Sequence, residues 1–399
     1  MKTEWIDNNQ QCTMNNVQWR KVKLGDCCES ELGKTLDEGR NTGLYRPYLC
    51  ALNVLWGKFD LSTIKKMRIE DSELERYLVK KGDLLVCEGG EIGRCAIWEY
   101  DDVIYYQNAL HRVRFYEGYD ARFFMYLLCH YNDLKLIEQY GKGLTIKHLN
   151  QTAFRNIPVS IPSLSVQRRI AAILSSADKV IASTQKVIDK LKQIKQGMME
   201  TLLNEQCIMN NVQWIKVKLG EVGEIITGST PSTAKSEYWD GEYNFYSPAD
   251  FDNSIYCNKT ERTVTKEGLS TGRIVPANSI MVACIASIGK IAVNKTVGIT
   301  NQQINTIIPN EEYDFMFLYY LLLYNSVSIK NNAAQTTIPI INKEDFSNLM
   351  FCFPDIVTQR KIARFLQGID KKIETEINLL EKYKQIKKGL MEELLNDKK

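Results

Sequence analysis

Residues 167–204 read QRRIAAILSSADKVIASTQKVIDKLKQIKQGMMETLLN, and residues 359–396 repeat the pattern as QRKIARFLQGIDKKIETEINLLEKYKQIKKGLMEELLN. In the first copy apolar or small residues recur at Ile170, Leu174, Ala177, Ile181, Thr184, Ile188, Leu191, Ile194, Met198 and Leu202. In the second they recur at Ile362, Leu366, Ile369, Ile373, Ile377, Leu380, Tyr383, Ile386, Leu390 and Leu394. Steps of three and four lay one continuous apolar stripe along a helix. Neither copy has an internal proline, and Pro162 and Pro354 stand just upstream as start punctuation. At 1.5 Å per residue each helix would run to roughly 55–60 Å, and a lone helix of that length cannot bury its stripe. The matching stripe on the other copy is the natural mate. That predicts an antiparallel two-helix coiled coil with pseudo-twofold symmetry. Its expected seam is Ile170, Leu174, Ile181, Ile188, Leu191 and Met198 against Ile362, Leu366, Ile373, Leu380, Tyr383 and Leu390. The alternative lays each helix along the core of its own domain. It leaves unexplained why the helices resemble each other while the segments beside them do not.

A second repeat lies upstream of each helix. Residues 14–26, MNNVQWRKVKLGD, and 209–221, MNNVQWIKVKLGE, differ at two of thirteen positions. The offset is 195 residues for these blocks and 192 for the helices, whereas 27–166 and 222–358 show no comparable identity. Repeats of this kind organise the whole chain. The expected division is a variable domain over 1–160, a long helix over 161–208, a second variable domain over 209–352 and a second long helix over 353–399. Each variable domain reads as mixed α/β (α+β). In the first, Asp83 to Cys87 and Ile92 to Trp98 flank a Gly89-Gly90 hairpin turn, Val103 to Tyr106 and Leu110 to Phe115 are strands, and Ala121 to Tyr131 is helical. The second shows the same succession: Ser279 to Cys284, Ile288 to Val293, Ile304 to Ile308, then a helix near Phe315 to Tyr324. Two dissimilar copies of one fold are the economical reading.

Composition excludes more than it selects. The 399 residues are 44% hydrophobic, enough for two or three cores. Fifty-one Lys+Arg against 48 Asp+Glu leave +3, so any nucleic-acid contact must rest on local charge. The longest apolar run, Phe315 to Tyr324, is half of the ~20 residues a spanning helix needs, and a polar N-terminus stands where a signal peptide would have its apolar core. A soluble, cytoplasmic protein without membrane contact is expected. Eleven Cys without a CxxC pair fit neither a disulfide framework nor a zinc site. His111, His130 and His148 form no HExxH, Gly289-Lys290 is no phosphate loop, and Gly141-Lys142-Gly143 is not continued into a dinucleotide fingerprint. No Asn-Pro-Pro-aromatic motif is present, and Glu88 and Glu91 read as solvated turn residues. The sequence offers no reaction centre, and no catalytic residue, metal or cofactor is expected.

Two unlike domains alternating with two near-identical helices resemble the specificity subunit of type I restriction–modification systems, over nearly the whole chain. The motifs that carry the resemblance sit at the junctions. Asn156-Ile157-Pro158-Val159-Ser160-Ile161-Pro162 leads into Gln167-Arg168-Arg169-Ile170, as Asn348-Leu349-Met350-Phe351-Cys352-Phe353-Pro354 leads into Gln359-Arg360-Lys361-Ile362. Gly82-Asp83-Leu84-Leu85 with Ile92-Gly93, and Asn278-Ser279-Ile280-Met281 with Ile288-Gly289, look like the family's buried strand pair. Gly228-Ser229-Thr230-Pro231-Ser232 followed by Tyr238-Trp239 is also typical. The first domain has no such Pro or Tyr-Trp pair after Leu32-Gly33-Lys34, so its early loop is expected to be built differently. The resemblance implies two target-recognition domains, each reading one half of a bipartite, asymmetric double-stranded DNA target. It further implies helices that set the spacing and dock two methyltransferase subunits, with two restriction/motor subunits joining for cleavage. Methylation and cleavage would then reside in the partners.

Affinity for DNA comes from cations on phosphates, and specificity from Arg, amide and hydroxyl groups on base edges. The candidates in the first domain are Tyr45, Arg46, Arg94, Gln107, Asn108, Lys142 and Lys147. Those in the second are Ser229, Thr230, Lys235, Tyr246, Lys290, Asn301, Gln302, Lys330, Asn331 and Gln335. Tyr105 and Tyr106 are expected in the core and His148 at the surface, before a strand-like segment. Residues 168–204 and 360–399 each carry four excess positive charges, on a flank that faces either DNA or solvent. Gly197 and Gly389 weaken each helix at the same site, as close approach of another backbone would require. The far helix ends are therefore expected to dock the methyltransferase. The competing readings are a rod-like adaptor whose two domains bind protein or carbohydrate, and an enzyme whose site carries none of the motifs searched for.

Overall fold

A computed structural model describes residues 18–141, 148–204, 213–252, 254–331 and 339–396. The chain divides into two compact units, Met1–Thr184 with Leu379–Lys399, and Gln185–Asn378. Both repeats are single helices of 39 residues, Leu164–Leu202 and Ile356–Leu394, and each passes from one unit into the other. In the first unit Ile170, Ala171 and Leu174, from the head of the first helix, share one core with Met391, Leu394 and Leu395 from the tail of the second. In the second unit Met199 and Leu203, from the tail of the first helix, share a core with Ile362, Ala363 and Leu366 from the head of the second. Head lies against tail in both, so the helices are antiparallel as their stripes predict.

Of the expected seam, Ile170, Leu174, Ile188, Ile362, Leu366, Ile373 and Leu380 are buried, and Ile181, Leu191, Met198, Tyr383 and Leu390 are half-buried. Three members of the wider stripe depart: Ile194, Ile377 and Ile386 are 41%, 40% and 47% exposed. A coiled-coil seam keeps to 3.5 residues per turn, and a stripe read by eye drifts off it. Beside Ile194 the seam takes a lysine instead. Lys195 Nζ reaches Asp370 Oδ1 at 2.7 Å and lies 5.4 Å from the centre of the Tyr320 ring, whose hydroxyl donates to Asp370 Oδ2 at 2.6 Å. In the first unit Lys387, beside Ile386, repeats the triad with Asp178 and Tyr126, the Lys387–Asp178 contact measuring 2.6 Å. Each triad ties a domain helix to both long helices at once.

Besides short two-stranded pairs, each unit holds two larger sheets whose first four strands follow the same order in both units. In the first unit the strand order is Cys28–Leu32, Leu110–Phe115, Leu84–Cys87, Cys95–Ile97 in one sheet and Lys65–Ile69, Leu44–Leu49, Ile104–Tyr106, Leu78–Val79 in the other. In the second unit Gly223–Thr227, Ile304–Pro309, Ile280–Ala283, Ile291–Asn294 and Tyr256–Cys257 form one sheet. Arg262–Val264, Trp239–Tyr246, Gly298–Thr300 and Ile274–Val275 form the other. The central pair of that sheet is parallel in both copies, Tyr105 opposite Tyr48 and Ile299 opposite Phe245. The Gly89-Gly90 turn joins an antiparallel hairpin, Leu84 opposite Ile97, with shorter strands than the sequence suggests.

The predicted domain helices form as Ala121–Asp133 and Phe315–Tyr324, covering the sheets from the core side. His148 is exposed as expected, but the strand expected after it is corrected: Asn150 caps a short helix, Gln151–Arg155, by accepting from the Ala153 N–H. The junction glutamines explain themselves. Gln167 Oε1 accepts from the backbone N–H of Asp120 at 2.9 Å while its amide donates to Pro162 O at 2.9 Å, and Gln359 makes the same pair of bonds with Asp314 and Pro354. Both are almost wholly buried and fasten a domain helix to the head of a long one.

Candidate nucleic-acid interface

In both units the chain leaves its first long strand through a glycine pressed against the far sheet. A Cβ on Gly33 would meet the backbone of Tyr106 and Gln107 at 2.4 Å, and one on Gly228 would meet the carbonyls of Thr300 and Asn301 at 2.3 and 2.1 Å. Only glycine allows this approach. It aligns Lys34-Thr35 with Ser229-Thr230, and Gln107-Asn108 with Asn301-Gln302, as matching elements of two sites.

In the second unit these residues converge. Thr230 Oγ1 donates to Gln302 Oε1 at 2.6 Å, Asn301 Nδ2 donates to Gln303 Oε1 at 3.0 Å, and the Ser229 N–H donates to Thr300 O at 2.8 Å. Thr230, Asn301, Gln302 and Gln303 line an open cleft of about 330 Å³ with Ser247, Asp250, Glu261 and Arg262. Hydroxyls, amides, carboxylates and a guanidinium on one concave surface supply both donors and acceptors, as reading base edges requires. Arg262 was missed by sequence reading, because only cross-strand pairing with Phe245 brings it to the cleft.

The first unit builds the same place with other residues. Gln107 pairs with Lys34, and Asn108 Nδ2 donates to Thr35 Oγ1 at 3.4 Å. Lys34 is buried and joins Glu73 at 2.6 Å. Burial works upward on the Glu73 carboxyl, but the Lys34 hydrogen bond, the Glu70 backbone N–H and the charges of Lys34 and Arg76 together offset it and hold the carboxyl below its ordinary 4.5. Tyr45 is exposed, and Arg68, its partner across the strands, lies 5.1 Å from the centre of its ring. Lys65, Lys66 and Arg68 make the outer strand basic, a feature sequence reading also passed over. Arg46 is half-buried beside Met67, and its Nε has no partner among the described residues.

Not every candidate reaches a site. Tyr246 is a correction: it is fully buried, its hydroxyl donates to Thr296 O at 3.0 Å, and it belongs to the core because its strand is central in the sheet. Arg94 spends its guanidinium on Glu91 at 3.2 Å and Ala51 O at 2.8 Å. Lys235 is exposed and donates to the Tyr238 hydroxyl at 3.1 Å, which raises its pKa. Lys290, Lys330 and Asn331 are exposed but do not line the cleft. Lys142, Lys147 and Gln335 lie outside the described residues. Tyr105 and Tyr106 are buried as expected. Among the described residues no His/Cys/Asp/Glu cluster suits a metal ion, no two of the nine cysteines form a disulfide, and no helix is long and apolar enough to cross a membrane.

One two-sheet fold used twice, with unlike polar side chains at matching places, defines a tandem reader of two different surfaces. Comparison with known proteins makes the class specific: the chain belongs to the type I restriction modification DNA specificity domain family, whose model matches residues 16–193 and again 211–385. It is similar to the provisionally named MjaX specificity subunit of Methanocaldococcus jannaschii, 25% identical over 356 residues that cover 83% of this chain and 81% of the relative. It is 32% identical over 169 residues to the MjaIX specificity subunit of the same organism, covering 41% of this chain and 39% of that one. In fold it resembles the crystal structure of the type I restriction–modification S subunit from M. genitalium, with a TM-score of 0.62 at 17% identity, over 96% of this chain and 98% of the other.

Proposed function

We propose that this specificity subunit reads a bipartite, asymmetric double-stranded DNA target, residues 1–160 taking one half-site and 209–352 the other. The observation that carries the reading is the pair of matched sites with different contents, Lys34-Thr35 with Gln107-Asn108 in one unit and Ser229-Thr230 with Asn301-Gln302 in the other. Folds of like topology present these loops at matching places, so unlike side chains there select unlike bases. The helices over 161–208 and 353–399 set the half-site spacing, and half-sites about one helical turn apart, ~34 Å, offer the same groove on one face of the duplex. Two methyltransferase subunits dock on the helices, two restriction/motor subunits complete the assembly, and the chemistry resides in those partners, in the cytoplasm. The duplicated pair Ile194 with Gly197 and Ile386 with Gly389 supports two like docking sites. Both isoleucines are exposed, and a Cβ on either glycine would meet nothing within 4 Å.

The test is a randomised-duplex selection on the chain with its methyltransferase partner. The expected result is a two-part motif, with log affinity falling linearly as log salt rises. Exchanging residues 1–166 for those of a relative should change one half of the motif only. A complex without sequence preference refutes the proposal.

A further inference from the structure

The cleft of the second unit holds a cation that its own fold leaves uncommitted. Arg262 pairs across the strands with Phe245 and lays its guanidinium carbon 3.5 Å from the centre of the Trp239 ring and 5.8 Å from that of Phe245. Trp239 is buried in a small cluster with Phe245, Val264, Leu269 and Ile299, so the platform is fixed by packing. Stacking occupies the face of a guanidinium and leaves its edge, with the rigid fork of N–H donors, pointing outward. Among the described residues that fork makes no hydrogen bond or ion pair.

The surroundings say what the fork suits. Asp250 and Glu261 line the same cleft, and Asp250 is already engaged with Ser247 N–H at 2.8 Å, Ser247 Oγ at 2.6 Å and Glu261 N–H at 2.8 Å. Carboxylates beside the guanidinium repel a phosphate, whereas a base edge presents acceptors to the arginine and donors to the acids. The amides of Asn301 and Gln302 stand on the same wall. At the matching register in the first unit Lys65 stands opposite Tyr48, so this position differs between the two domains, as a reading position would.

We infer that Arg262, held flat on Trp239, is a specificity-determining residue that takes the O6 and N7 acceptors of one guanine in the half-site read by residues 209–352. The inference rests on the proposed DNA-reading function, and its test separates the two. The full chain with its methyltransferase partner is put through randomised-duplex selection as wild type, Arg262→Lys and Arg262→Gln, with thermal unfolding measured alongside. A bidentate arginine on guanine predicts that both variants lose about tenfold or more of the preference at one base pair of one half-site. The other half-site stays unchanged, and Arg262→Lys unfolds at the wild-type temperature. An unchanged motif with a lowered unfolding temperature would make Arg262 a lid on Trp239 and overturn the inference. So would a loss of affinity uniform across sequences and rescued by lysine, which marks a phosphate contact. A wild type without preference at either half-site would instead refute the parent reading, and this one with it.

Discussion

Cutting the lysine–aspartate contact in the helix seam should cost different amounts in the two units, and the structure sets the ratio. In both units the aspartate also accepts from a tyrosine hydroxyl, so exposure is what differs: Lys195 and Asp370 meet at 2.7 Å with both side chains only 18% exposed. Lys387 and Asp178 meet at 2.6 Å with 24% and 41% of the side chains exposed. Solvent-exposed ion pairs contribute about 0.2–1 kcal/mol, whereas hydrogen bonds to charged groups out of water contribute about 1.5–3 kcal/mol. Asp178 is exposed enough that its pair belongs near the lower range. A double-mutant cycle of Lys195→Met with Asp370→Asn should therefore return a coupling of about 1.5–2 kcal/mol, and the cycle of Lys387→Met with Asp178→Asn under about 1 kcal/mol. For units of roughly 200 residues each kcal/mol moves the midpoint by about 2–4 °C, so the non-additive part of the Lys195–Asp370 cycle should amount to about 3–8 °C. Calorimetry at low and high salt reads both cycles, and salt should weaken the more exposed pair further. Equal couplings, or a larger one for Lys387, would refute the reasoning.

Gln167→Ala and Gln359→Ala each remove the partner of a half-buried backbone N–H, of Asp120 and Asp314 respectively, and should destabilise by about 1 kcal/mol or more apiece in the same calorimetric assay. Loss-free variants would show that the junction motif does not fasten the helices. Burial pushes the thiol of Cys28 up to about 12 and those of Cys87, Cys257 and Cys284 up to about 11. At neutral pH they are protonated and shielded, so alkylation followed by mass spectrometry should label them only once denaturant is added. Rapid labelling of the folded chain would contradict the placement of these strands.

The sequence made periodic and repeated features plain and left long-range pairing dark. Two helices of 39 residues follow from a stripe with no proline, and Phe315–Tyr324 matches its expected bounds because a solid apolar run has only one place to go. The seam lysines were invisible, since a lysine between isoleucines reads as solvent-facing until an aspartate 175 residues away is placed opposite it. Tyr246 was misread for the converse reason. A tyrosine near a polar loop invites a binding role, and only the parallel pairing with Thr300 puts it inside the sheet. The polar candidates of the second domain come together where two of them share a turn. Asn301 and Gln302 line the cleft together with Thr230, while Arg262 needed the register of a strand pair that no local pattern announces.

The sharing of cores by helix ends has a consequence for how the chain is made. The second unit is contiguous, Gln185–Asn378, and can close as soon as its last residue clears the ribosome. The first unit, although translated earlier, lacks Met391, Leu394 and Leu395 from its interior until the second helix has been made to its tail. Completion therefore runs opposite to translation. The half begun first waits with an apolar gap along its helix, and a chain stopped before Met391 would be defective at its beginning rather than at its end.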